Sequence, residues 1–219
     1  MEKVINRVKA HTKYTLEDGT LVPGVTTVLR VLNKPALVPW ANKLGLNGIE
    51  VGKFVDDKAA IGTLAHQMIA DYLRGMETDT SEYSKIQIDQ AENSVLAFFE
   101  WEKAHKLTPI LIESPMISET YGFGGTVDLI ATINDEPDLW IVDFKTSGGI
   151  FPEMFVQVAA YRQLAWEHEL DVRKTRILRI GRTPDEGFED KPVNNLDKRW
   201  ELFHHALCIY RIQQEVKNG

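Results

Sequence analysis

Three residues near the middle of the chain have the types and spacing to hold a divalent cation beside a phosphate: Asp128, Asp143 and Lys145. Asp128 lies in an apolar run from Gly124 to Ile133, and Asp143 and Lys145 close a second run from Leu139 to Lys145. The intervening Asn134-Asp135-Glu136-Pro137 is a loop short enough to require an antiparallel hairpin. In a register symmetric about that loop, Ile133 faces Asp138, Asp128 faces Asp143, and Thr126 faces Lys145. Side chains alternate along a strand. The spacing therefore puts Thr126, Asp128, Asp143 and Lys145 on one face, and Val127, Leu129, Val142 and Phe144 on an apolar opposite face. Facing Cβ atoms lie about 4.5–5.5 Å apart, where two carboxylates repel and one tends to keep its proton. A divalent cation removes that conflict, and magnesium takes carboxylate oxygens together with water and phosphate. An ammonium alongside stabilises charge developing on a phosphate or orients attacking water.

The Asp-x-Lys spacing means little by itself. The chain has four Asp/Glu-x-Lys triplets: Asp56–Lys58, Asp143–Lys145, Glu189–Lys191 and Glu215–Lys217. Only the second follows an apolar strand and has an aspartate across a hairpin. The alternative is a cross-strand charge cluster at a sheet end, with no chemistry.

The elements that must position these residues can be read from turns and periodicity. Tyr14-Thr15-Leu16 and Thr20-Leu21-Val22 flank the turn Glu17-Asp18-Gly19 and form a small hairpin. A helical run follows over 25–32, and Pro35 and Pro39 divide the next stretch into short pieces. Apolar residues recur at helical spacing over 57–74, with Gly75 as the stop, and again over 85–106. Strands are expected at 109–113, 124–133 and 139–145, a helix at 153–169, a strand at 175–181, a polar loop at 182–195 and a last helix at 196–216. The expected fold is α/β (α+β): a central mixed β-sheet flanked by helices, with a helical N-terminal extension. The expected division is a hairpin and helical extension over 1–56 and a core over 57–219.

Four motifs in this order resemble those of the PD-(D/E)XK nuclease superfamily, in its RecB-like and lambda-type exonuclease branch. They are Gly62-Thr63-x-x-His66, Gly124-Gly125-Thr126-Val127-Asp128, Asp143-Phe144-Lys145-Thr146 and Gln157-x-x-x-Tyr161. Each is weak alone; the ordered set spans residues 62–161. The hairpin and proline-divided helices also look like those of phage-encoded members. The resemblance implies a restriction-endonuclease-like core and a DNA exonuclease serving phage-type recombination, repair or processing. Asp128, Asp143 and Lys145 would be catalytic, with Glu113 orienting a water. His66, Asp128, Asp143 and the Phe144 carbonyl would be metal ligands, for Mg2+ or for Mn2+, which a histidine-containing site accepts. Gln157, Tyr161, Thr126 and Thr146 would support the site or touch DNA. A homo-oligomer, or a recombination partner such as a single-strand annealing protein, is compatible with the family. Other readings of the same residues are a structure-specific endonuclease, an inactive nucleic-acid-binding subunit, a phosphoesterase for small substrates and a protein–protein module.

Composition excludes other classes. The net charge of −7 argues against a protein that simply coats nucleic acid. Basic residues for a DNA path are sought locally: Lys34, Lys43, Lys53 and Lys58 ahead of the histidine helix, or Arg173, Lys174, Arg176, Arg179 and Arg182. One cysteine, Cys208, rules out an internal disulfide and a four-cysteine iron–sulfur cluster, and its apolar neighbours suggest burial. His204 and His205 are adjacent on a helix and so read as structural. No signal peptide or membrane-length apolar run is present, so a cytoplasmic location is expected.

Overall fold

Alternating and β-branched residues in the middle of the chain build a five-stranded sheet, and apolar helices close over both of its faces. The computed structural model describes residues 12–218. Strands β3 (Leu107–Ser118), β4 (Phe123–Ile133), β5 (Leu139–Lys145), β6 (Val172–Ile180) and β7 (Phe188–Pro192) lie side by side in that order. β5 and β6 are parallel and the other pairs antiparallel. Helix α5 (Pro152–Glu167) makes the crossover that the parallel pair requires. The result is the mixed sheet with flanking helices and preceding N-terminal helices that the sequence implies.

One face of the sheet is covered by α3 (Val51–Leu73) and α4 (Lys85–Lys103). Ile69, Val95 and Phe98 pack there against Leu129, Val142, Phe144 and Leu178. The other face is covered by α1 (Val25–Val28), α5 and α6 (Leu196–Asn218), where Val25, Leu164 and Phe203 meet Val127, Ile130 and Ile141. A two-stranded hairpin, β1 (Tyr14–Thr15) and β2 (Leu21–Val22), precedes α1 and turns through Gly19 at φ +88°. Among the described residues no helix is long and apolar enough to cross a membrane.

Several expectations need correction. Residues 182–195 are not all loop, because β7 forms within them. Its Glu189, Asp190 and Lys191 are the charged residues that suit an edge strand, and they masked it. β3 runs to Ser118 through Pro115, which an edge strand tolerates. Pro39 does not break the chain but sits in the first turn of α2 (Leu37–Leu46), where its missing N–H has no helical acceptor to lose. α3 starts six residues earlier than its apolar periodicity shows, because its first turns are mostly exposed; Glu50 caps them by accepting from the Gly52 and Lys53 amides. Cys208 is exposed: Phe203, Ala206 and Leu207 face inward, and the apolar neighbour Ile209 faces solvent with it.

Candidate active site

The hairpin register is the one symmetry implies: Leu129 faces Val142, Ile130 faces Ile141 and Ala131 faces Trp140. The ladder ends there. Two residues beyond Val142, the Phe144 amide donates instead to the Asp128 side chain, at 2.8 Å from Oδ2. The alternation of β4 also slips at Asp128. Val127 packs with Ile130 in the core under α5, whereas Leu129 packs with Val142 and Phe144 under α3 and α4. The single apolar face expected for Val127, Leu129, Val142 and Phe144 is therefore split, and Thr126 does not share one uninterrupted face with Asp128. The neighbouring strand is irregular at the same level. Glu113 falls between the pairs Ile112–Leu129 and Ser114–Val127, with φ at +46°.

These irregularities bring three elements together. His66, from the middle of α3, places Nδ1 3.5 Å from Asp128 Oδ1 and 3.6 Å from Glu113 Oε1. One ligand atom from each of His66, Glu113 and Asp128 lies within 4.8 Å of the other two. The His66 ring stands edge-on to Phe144 at 5.9 Å, which fixes its plane. Asp143 is fully buried; Lys145 Nζ lies 2.6 Å from its Oδ2, and its Oδ1 has no hydrogen-bond partner among the described residues. One imidazole nitrogen, two clustered carboxylates and a buried third carboxylate with one oxygen unpartnered make a donor set that fits a divalent cation such as magnesium or manganese.

The electrostatics follow from this crowding. Burial alone would lower the His66 pKa, but Asp128 and Glu113 outweigh it and push it up to about 10. Burial raises Asp143 to about 6 against the pull of Lys145, with the Asp128 charge adding to the rise. Glu113 is raised by burial, with His66 opposing. For Asp128 burial is outweighed by the His66 and Lys145 charges and the Phe144 amide, so its carboxyl stays below the usual range. Without a cation the site therefore holds a proton on His66.

The supporting residues sit as follows. Gln157 Nε2 donates to the Tyr161 hydroxyl at 2.7 Å on one face of α5. Burial, then the Asp143 and Asp128 charges, raise the Tyr161 phenol well above its ordinary pKa. Thr146 packs against α3 at Gly62, where a Cβ would come 2.7 Å from its Oγ1. Thr126 turns to the N-terminal hairpin and shares a hydrogen bond of 3.0 Å with the Tyr14 hydroxyl. The glycines of the Gly124-Gly125 pair admit two tyrosines. A Cβ on Gly124 would lie 2.3 Å from Tyr14 Cγ, and one on Gly125 2.7 Å from Tyr161 Cε1. Tyr14 is the site residue that sequence reasoning missed; no local spacing links it to a threonine more than a hundred positions away.

The arginine-rich stretch expected to line a DNA path is neutralised. Arg173 pairs with Asp171, Lys174 with Glu136 and Asp138, Arg176 with Asp190, Arg179 with Glu189, and Arg182 with Glu186.

No protein-family model matches the sequence, and no curated protein does. Among solved structures the chain is similar to LHK-Exo in complex with dAMP, with 12% identity and a TM-score of 0.43 over 74% of this chain and 86% of that one. It is also similar to a second structure of LHK-Exo, an alkaline exonuclease from Laribacter hongkongensis, with 14% identity and a TM-score of 0.34 over 71% and 84% of the two chains.

Proposed function

We propose that this protein is a metal-dependent DNA nuclease of the PD-(D/E)XK type. One observation carries the proposal: His66, Glu113 and Asp128 converge within 4.8 Å beside the buried Asp143–Lys145 pair. His66 and Asp128 would hold the cation, with Asp143 and the Phe144 carbonyl completing its protein ligands. A divalent cation bound there supplies Lewis-acid stabilisation of phosphate charge and a more acidic bound water. Glu113 orients and deprotonates the attacking water. Lys145, now beside Asp143, faces the scissile phosphate and offsets its developing charge. Tyr161 and Gln157 hold the α5 side of the site, and Thr126 and Thr146 hold its hairpin and α3 sides. Exonucleolytic attack on DNA ends, in phage-type recombination or repair, is the specific form proposed.

The test is digestion of end-labelled linear and covalently closed circular DNA with magnesium, manganese or chelator. Label release from linear DNA is expected with either metal and not with chelator. Asp128→Ala and Asp143→Ala are each expected to lower the rate at least a hundredfold, on the order of the loss when one preorganised electrostatic group is removed. Digestion at the parental rate by Asp143→Ala would contradict the assignment.

A further inference from the structure

The surface leading to this site has an unusual composition. Helix α2 buries none of its residues, and Leu37, Val38 and Leu46 are more than half exposed. Its Trp40 ring lies 6.2 Å from Phe54 in the first turn of α3, and the Lys58 ammonium sits 5.6 Å from the Phe54 ring centre. Residues 30–58 contain Arg30, Lys34, Lys43, Lys53 and Lys58 against three acids, Glu50, Asp56 and Asp57, in a chain whose total charge is −7, and Lys34 is paired with Glu153. Of these acids, Glu50 is occupied at the α3 N-terminus, where it accepts from the Gly52 and Lys53 amides. This surface therefore displays the Trp40 and Phe54 rings beside Lys43, Lys53 and Lys58, cations that carry no ion pair with the described residues.

Helix α3 connects the patch to the metal cluster. Phe54, Lys58, Gly62 and His66 recur every four residues along one rigid element. At a rise of 1.5 Å per residue, Lys58 and Phe54 stand about 12 and 18 Å from His66 along the axis. Gly62, between them, touches Thr146 at the end of β5. Lys34 ties the start of α2 to Glu153 in the first turn of α5 at 2.7 Å.

We propose that α2 and the first turns of α3 form a platform for unpaired nucleobases, which leads a single strand along α3 to the metal cluster. Trp40 and Phe54 stack on base faces, and Lys43 and Lys53 face the phosphates. Aromatic faces among lysines suit single strands because every unpaired base offers a π-face, whereas duplex pairing hides it. The inference rests on the nuclease reading of the site.

It is tested with the full chain in chelator, by fluorescence anisotropy of a labelled oligothymidine and of a duplex of equal length. Wild type is expected to bind the single strand more tightly than the duplex. Trp40→Ala should weaken single-strand binding about tenfold, the scale of one lost stack. Lys43→Glu with Lys53→Glu should flatten the dependence of affinity on salt. Both variants should keep the wild-type melting temperature and its rise with manganese, which shows fold and metal cluster intact. Unchanged single-strand affinity in both variants overturns the platform, as does tighter binding to duplex. A Trp40-dependent dimer in sedimentation, or Trp40-dependent binding to anionic vesicles without oligonucleotide binding, also overturns it. Trp40-dependent strand binding without metal-dependent cleavage would remove the nuclease reading alone.

Discussion

Asp143 carries the sharpest electrostatic conflict in the site: a buried carboxylate next to another acid, with Lys145 as its charged partner. Its pKa of about 6 lies above the 3.8 of an unperturbed aspartate. The folded state thus binds a proton that the unfolded state releases, and this contribution is present below about pH 4 and lost as pH rises through 6. His66 behaves alike in a higher window, its contribution present below 6.5 and lost as pH rises through about 10. Chelated protein should therefore lose stability as pH rises, while metal binding, which needs both groups deprotonated, should strengthen. The manganese-induced rise in melting temperature should be larger near pH 8 than near pH 5.5, and a rise independent of pH would count against a His66-containing metal site. Tyr14 gives a second expectation at this scale. Tyr14→Phe keeps the ring against Gly124 and loses one hydrogen bond, about 1 kcal/mol in denaturant unfolding. Gly124→Ala forces the ring off its seat and should cost more, about 1–3 kcal/mol. The reverse order would show that the glycine is not there to admit the tyrosine.

At the scale of elements, the strands that carry the acids were the most legible. The four-residue loop and the alternating apolar residues fixed the β4–β5 register, and it holds at Leu129–Val142 and its neighbours. The slip at Asp128 was not legible, because it comes from Glu113 on a different strand adopting positive φ and from the Phe144 amide taking a side-chain acceptor. Apolar periodicity marks only buried helix, so it missed the exposed first turns of α3 and gave no continuous α2. Those exposed turns depend on their cap. Glu50→Ala should cost about 1 kcal/mol and speed amide exchange from Val51 to Val55 while leaving the turns around His66 protected. Equal acceleration along the whole helix would show that α3 is not held independently by Gly62, Ile69 and their sheet contacts.

For the molecule as a whole, order was readable and proximity was not. Helices, a three-strand run, a crossover helix and a closing strand and helix already imply a mixed sheet with two covered faces. The convergence of a hairpin at residue 14, a helix at 66 and strands at 113, 128 and 143 depends on tertiary packing that no local pattern encodes. Only the resemblance to a motif series placed His66 with the aspartates. Net charge likewise hides a division: the arginines of β6 and the turn after it are matched by carboxylates, whereas Lys43 and Lys53 on the α2–α3 surface make no ion pair with the described residues. The most direct measurement is anomalous diffraction from crystals soaked in manganese. A peak is expected about 2.0–2.3 Å from His66 and Asp128, with an Asp143 oxygen drawn toward it and away from Lys145. Full occupancy at some other acidic cluster, with His66, Asp128 and Asp143 unmoved and no density between them, would contradict it.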